Sequence, residues 1–397
     1  MNSIEILTSP DIVNFIRENE SADIQKLLLN PPAEFKQQIT FIADQILSRR
    51  KAKSKLPEWY DNYDLIMPPP LSLEQCSSPA TGAYKASIFS GKTLVDLTGG
   101  MGIDTLYLAN QFEKVHHVEM NEQIHQVFEH NCAVLQKDNI TAHHQTAEDY
   151  LTDLNGKASF FIDPARRSEQ KSRVFLFEDC SPNVIELLPP FREKADKVLI
   201  KAAPMIDISL AVSQLKQVKE VHIVSVKNEV KEVLFLLDYQ TKVPDEPIIR
   251  CVNLETSQPS FSFCTSNEKT ATSSFSEPQW YLYDPNSSIL KAGAFKLIGT
   301  QYELHKIAIN THLYTSESLI DNFPGRVFEI IHSDINKKNI GKAISDGKVN
   351  VLTKNYPQKP DELKKKLKLK DGGKFFLIGL RDKNNKPKLL LTKHPDK

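Results

Sequence analysis

The stretch "TLVDLTGGMGIDT", residues 93–105, constrains the fold more than any other part of the chain. A short β-prone run ends on Asp96, glycines follow at 99, 100 and 102, and helical periodicity begins at Ile103. A strand that passes through glycines straight into a helix opens a βα unit. Glycine lets the backbone turn sharply there, and it lets a ligand approach the peptide amides because no Cβ stands in the way.

The same alternation continues to about Tyr239. "KTLVDLT", "KVHHVEM", "ITAHHQT", "SFFIDPA", "KVLIKAA" and "EVHIVSV" have strand character, with helical periodicity between them. This pattern predicts a parallel sheet wrapped by helices on both faces, an α/β doubly wound Rossmann-like fold. "KEVLFLLDY" follows the sixth strand after only a few residues, which allows nothing but an antiparallel hairpin.

A chain of 397 residues exceeds the roughly 250–300 at which single cores stop growing, so more than one domain is expected. Residues 1–72 read as an N-terminal helical domain that ends in a proline linker at "MPPP", and residues 73–245 hold the α/β domain. Residues 246–322 read as a β-rich unit of short strands, with "SNEKTATSSFSEPQ" as an exposed loop, and residues 323–397 as a small α+β unit. The composition, 40% hydrophobic and 25% charged, is that of a folded globular chain. The N-terminus lacks a basic start followed by an apolar block, and no apolar run approaches the roughly 18 residues of a membrane span. Five cysteines, none in a CxxC spacing, speak against a disulfide framework or a zinc site. A cytoplasmic protein with reduced thiols is expected. His116–His117 and His143–His144 alternate faces of their strands and are read as structural, so no metal is expected.

Zero net charge conceals a division. From Asn336 onward there are 18 Lys or Arg against 6 Asp or Glu, so a strongly basic C-terminal segment sits on an equally acidic body. Such a segment favours polyanions, nucleic acid above all.

The glycine loop departs from a dinucleotide fingerprint, because Ile103-Asp104-Thr105 replaces the third glycine and Asp104 would set a negative charge where a pyrophosphate belongs. Asp96, at the strand end, suits a ligand that carries an ammonium group, as S-adenosylmethionine does. Glu119, 23 residues later at the tip of the second strand, is placed to accept hydrogen bonds from both ribose hydroxyls.

On these residues the chain resembles the class I S-adenosylmethionine-dependent methyltransferases. "VDLTGGMGID" is similar to their motif I, with Asp96, Thr98, Gly100 and Gly102 on its key positions, and the terminal hairpin also belongs to their sheet. "LEQCSSPATGAYKASIF", "GGMGIDT", "FIDPARR" and "YLYDPNSSILKAGAFKLIG" together resemble the bacterial THUMP-like-domain methyltransferases. That resemblance implies a ferredoxin-like unit over 246–322 and a basic THUMP-like domain over 323–397. It also implies that Thr81, Tyr84 and Lys85 lie near the methionine end of the cofactor, although a helix cap with a satisfied lysine would explain them equally. Many relatives place an Asp after the third strand to meet the adenine, where this chain reads "HHQTAED"; Asp149, with Glu148 as second choice, would substitute, although an acid that opens a helix is also an ordinary dipole partner.

"FIDPARR" ends the fourth strand where ligands bind across the carboxyl ends of a doubly wound sheet. In methyltransferases that act on base amino groups, this turn reads Asp or Asn, Pro, Pro, aromatic. Here Asp163 and Pro164 keep the acceptors, the aromatic is absent, and Arg166 or Arg167 would stack on a base or grip a phosphate. Lys201, Asn228 and Glu229 would rim the same cleft, although ordinary turn chemistry would explain them as well. The expected activity is methylation of an exocyclic amine of guanine or adenine in structured RNA such as tRNA or rRNA. The alternatives are a non-catalytic RNA-binding protein that retains its S-adenosylmethionine pocket, or a protein or small-molecule methyltransferase.

Overall fold

A computed structural model describes residues 3–166, 176–242, 244–344 and 346–395. Its strands, in chain order, are β1 (Gly91–Asp96), β2 (Phe112–Glu119), β3 (Ile140–His144), β4 (Ala158–Ile162), β5 (Ala165–Arg166), β6 (Cys180–Ser181), β7 (Ala195–Ala202), β8 (Val218–Val226) and β9 (Glu229–Asp238). They continue as β10 (Ile248–Leu254), β11 (Phe261–Cys264), β12 (Tyr281–Pro285), β13 (His305–Ala308), β14 (Thr311–Ser316), β15 (Gly325–His332), β16 (Asn350–Lys354), β17 (Phe375–Arg381) and β18 (Pro387–Lys393). The chain divides into two compact units, Met1–Lys219 with Val233–Pro244, and Glu220–Glu232 with Asp245–Lys397.

In the first unit the strands run in the order β9-β7-β4-β1-β2-β3. All neighbours are parallel except β9, which lies antiparallel on β7. From β1 the chain winds outward through β2 and β3, then returns to β1's other side with β4. That reversal between β1 and β4 opens a crevice at their carboxyl ends. Every residue of β4 is buried, as helices on both faces of a parallel sheet require.

The N-terminal helices belong to the same compact unit. Ile12 and Ile16 of the helix Pro10–Glu18 pack on Ile42 and Ile46 of the helix Ile39–Lys55. The segment expected to be a linker is instead fastened by side-chain amides. Gln45 gives and receives one hydrogen bond with the Met67 backbone (3.0 and 2.9 Å), and buried Asn131 does the same with Ile66 (2.9 Å each). A side-chain amide carries a donor and an acceptor, so each one substitutes for a strand partner along a stretch whose prolines cannot hold a ladder. Arg49, in the basic part of that helix, is also buried and donates to the carbonyls of Tyr60, Asn62 and Leu65.

In the second unit β8 pairs in parallel with β10, and β10 antiparallel with β11. Lys227 and Asn228, both with positive φ (48° and 69°), form the two-residue turn between β8 and β9. The Asn228 amide donates to Asn253 Oδ1 and its side-chain oxygen accepts from the Ser287 amide (2.8 Å each). That is turn chemistry, one of the two readings that the sequence left open for Asn228. The remaining seven strands form a second sheet, β13-β14-β12-β15-β18-β17-β16. Two further expectations change. "YLYDPNSSILKAGAFKLIG" holds one strand and then two short helices, Ser287–Ala292 and Leu297–Gln301, because Asn286 caps the first and Gly293 ends it at φ 76°. The supposed loop "SNEKTATSSFSEPQ" begins within the helix Thr265–Thr270, whose Glu268 carboxylate accepts from the amides of Lys296 and Leu297.

Asn131→Ala removes both anchors of Ile66 and strands a buried backbone pair. We expect a loss of about 2–3 kcal/mol in urea unfolding and faster proteolysis between residues 60 and 70, whereas a loss under about 0.5 kcal/mol would mean that this pairing is incidental.

Candidate functional site

The glycine loop is held from three sides. The Leu97 amide donates to the Phe161 carbonyl on β4 (3.0 Å), the Gly99 amide to the Val118 carbonyl on β2 (2.9 Å), and the Gly102 amide back to the Gly99 carbonyl (2.9 Å). Its glycines have different reasons. A Cβ on Gly102 would stand 2.1 Å from the Phe128 ring, and one on Gly99 2.2 Å from the His117 ring. Those two rings stack on each other 3.5 Å apart. A Cβ on Gly100 would meet no atom closer than Thr98 O at 3.8 Å, so packing does not require glycine at 100. Its φ of +53° does, and it leaves the loop's outer side bare.

Glu119 closes the loop, as its carboxylate accepts from the Gly100 amide (2.9 Å) and the Asn121 amide (2.7 Å). A carboxylate has about four acceptor positions, so about two remain for a pair of hydroxyls. His117, beneath the loop, is driven to about 3 by burial and is therefore neutral; its Nε2 donates to the Gly100 carbonyl (3.1 Å).

A cleft of about 260 Å³ lies over this loop, walled by Asp96, Thr98, Asp104, Asp163, Lys201 and the segment leading to Ser77. Asp96 is 1% exposed and accepts from the Thr98 amide (3.1 Å) and the Thr105 hydroxyl (2.6 Å). Burial pushes its carboxyl up to about 7 against those two hydrogen bonds, and the neighbouring acids Asp104 and Asp163 add to the rise. Asp104 goes the other way. Burial alone would raise it, but the ammonium groups of Lys201 (3.3 Å) and fully buried Lys85 (3.2 Å), with the Ser77 hydroxyl (2.9 Å), outweigh that and bring it to about 2. Lys201 also reaches Asp163 Oδ2 at 2.7 Å. The Asp163 amide donates to the Thr98 hydroxyl (2.7 Å), so the turn after β4 is tied to the glycine loop.

Asp96, Thr98, Gly100, Gly102, Asp104 and Asp163 thus converge on one cleft. Others have local duties. The Thr81 hydroxyl closes a capping box with Ser78, and Asp149 exchanges hydrogen bonds with Thr146 at the start of the helix Ala147–Asp153. Neither lines the cleft, and neither does half-buried Tyr84. Lys85 bonds to Asp104 and Ser77 behind the cleft wall. Pro164 is buried, and exposed Arg166 sits on β5, which pairs with β6. Arg167 lies outside the described residues. Ser77 and the bonds of Lys201 were not foreseen, since the partners lie 27 to 124 positions apart in sequence. Exposed Glu229 pairs with Lys231. His116 and His143 bond to each other (2.9 Å), and among the described residues no group of three His, Cys, Asp or Glu side chains could hold a metal ion. No helix among those residues is long and apolar enough to cross a membrane.

Comparison with known proteins adds two family matches and one full-length structure. Residues 281–324 match a ferredoxin-like domain family, and residues 325–394 a THUMP domain-like family. A crystal structure from Porphyromonas gingivalis W83, described as a "putative methyltransferase", superposes with a TM-score of 0.85 at 29% identity, over 99% of this chain and 98% of that one. An rRNA methylase from Streptococcus thermophilus matches 41% of this chain and 97% of its own, at 14% identity and a TM-score of 0.30. No curated protein matches significantly.

The displacement of Asp96 gives a pH prediction. An acid that is weaker in the folded than in the unfolded chain makes the fold lose stability as pH rises from its ordinary value near 4 to its folded value near 7. Asp96→Asn should therefore outlast the wild type in chemical denaturation by an amount that grows by about 2–4 kcal/mol between pH 4 and pH 8. A difference constant with pH would refute this.

Proposed function

We propose that this chain, which belongs by fold and domain content to the THUMP-like-domain family of class I methyltransferases, transfers a methyl group from S-adenosylmethionine to an exocyclic amine of a guanine or adenine in structured RNA. One observation carries the reading. The glycine loop that would hold the cofactor and the turn that would hold the acceptor are bonded to each other, through the Asp163 amide and the Thr98 hydroxyl, at the rim of one cleft.

The residues present fit that cofactor. The bare outer side of Gly100 admits a nucleoside against the backbone, the spare acceptor positions of Glu119 suit its two ribose hydroxyls, and Asp96 offers a buried negative partner to its amino-acid ammonium. When bound, the cofactor supplies an already activated methyl. The protein's task is then mainly to align the acceptor. Lys201 fixes one oxygen of Asp163, and among the described residues Oδ1 takes no hydrogen bond, so it is available to an amine N–H. Asp163 can hold the amine and receive its proton late.

RNA is favoured over protein or small-molecule substrates by the basic C-terminal unit. Lys365, Lys366, Lys368 and Lys370 are exposed on and after the helix Pro360–Leu367. Phosphates are their natural partners. A base extruded from the RNA would enter the cleft. The description of the P. gingivalis relative agrees with the transfer but does not name an acceptor.

The test is transfer of labelled methyl from S-adenosylmethionine to total RNA from cells that lack this protein. Label should enter RNA with the wild type and fall about 100-fold or more with Asp163→Ala. Truncation at Asn336 would be a poor companion variant, because β16, β17 and β18 are built into the sheet beside β15. Reversing Lys365, Lys366 and Lys368 to Glu leaves the sheet intact and should weaken RNA binding and flatten its salt dependence, with binding of S-adenosylhomocysteine unchanged. Cofactor binding without any transfer would favour an RNA-binding protein that keeps the pocket.

A further inference from the structure

Asp96 is a buried carboxyl group whose direct partners are neutral. Its two hydrogen bonds come from a backbone amide and a hydroxyl, and its carboxylate still faces the cleft. The charges around it are committed elsewhere. On the helix Ile103–Leu108, Asp104 is bound to Lys85 of the helix Pro79–Ile88 and to Lys201 of β7. After β4, Asp163 shares that same Lys201. On β2, Glu119 is engaged by two backbone amides, and His117 is buried and neutral. The neighbouring charged side chains that act on Asp96 are therefore the acids Asp104 and Asp163, and the lysines already serve them.

A buried carboxylate in such surroundings has two ways to become neutral: a proton, or a cation from the cleft. We infer that Asp96 carries a proton in the empty protein and releases it to solvent when the ammonium of a ligand's amino-acid end enters the cleft, so that cationic ligands bind by proton exchange. The O–H bond of the carboxylic acid breaks, its electron pair stays on the carboxylate, and the ammonium takes over as counter-charge. This rests on the reading of the cleft as the S-adenosylmethionine site and goes beyond it. It assigns Asp96 the role of selecting ligands by charge, and it makes their affinity depend on pH where no ligand group titrates. The upward displacement of Asp96 to about 7 places the exchange near neutral pH.

The sign follows from linkage. A group that loses a proton on binding makes binding stronger as pH rises, until the empty protein is itself deprotonated. Affinity for S-adenosylhomocysteine, measured by calorimetry on the full chain, should rise about eightfold from pH 6 to pH 7.5, the gain expected for one proton released from a group near 7. Heats measured in two buffers of different ionisation enthalpy should show protons released at pH 6.5. Two comparisons isolate Asp96. 5′-Methylthioadenosine, which lacks the amino-acid end, should bind with no slope and no proton release. Asp96→Asn should bind that neutral nucleoside as the wild type does, which shows an intact cleft, while its slope for S-adenosylhomocysteine disappears. A flat wild-type profile for S-adenosylhomocysteine, or a slope that survives in Asp96→Asn, overturns the proton exchange and leaves the cofactor reading standing. Failure of both nucleosides to bind at any pH overturns both.

Discussion

The Asp104 carboxylate is the interaction on which the site depends. It gathers Lys85, Lys201 and Ser77 from three different elements, and through Lys201 it reaches Asp163 at the end of β4. Burying two lysines and an acid is costly, and an apolar substitute would often be as stable. Polar geometry, however, fixes direction as well as distance. With two cations on one carboxylate and the second cation passed on to Asp163, the helix Pro79–Ile88, the glycine turn and the strands β4 and β7 share one register. Removing Lys85 or Asp104 alone would leave an uncompensated charge inside the wall, which typically costs about 3–5 kcal/mol.

The loop above that network is rigid for separate reasons. Phe128 and His117 fill the space that side chains on residues 99 and 102 would need, and Glu119 clamps the Gly100 amide from β2. In the proposed cofactor role, a backbone this constrained would leave little ordering to oppose binding. The same logic suits methyl transfer, in which alignment supplies most of the rate enhancement. The replacement of the third glycine by Ile103-Asp104-Thr105 is not a gap in the loop. Asp104 anchors the lysines and Thr105 supplies one of the two hydrogen bonds to Asp96.

Much of this was legible in the sequence because it is local. Strand, glycine and helix follow one another between residues 91 and 108, and the residues that line the loop are fixed by that order. The alternation of strands and helices likewise foretold a doubly wound parallel sheet. Partners distant in sequence were hidden. Nothing in "SSPATGAYK" announces that Ser77 will meet Lys201, nor that Asn131 will hold Ile66. Capping residues admitted two readings from the sequence. Thr81 and Asp149 are polar and near the right turns, but each is occupied by its own helix start. Prolines misled, since "MPPP" has the composition of a linker while Gln45 pins its Met67 and Asn131 pins Ile66 just before it.

The most direct measurement is a crystal structure of the protein with S-adenosylhomocysteine. On the proposed reading the nucleoside lies along Gly100 with its ribose hydroxyls on Glu119, its amino-acid end toward Asp96, and the Asp104 network unmoved beneath it. A ligand seated elsewhere, or one that must break the bonds from Lys201 to Asp104 and Asp163 in order to enter, would contradict it.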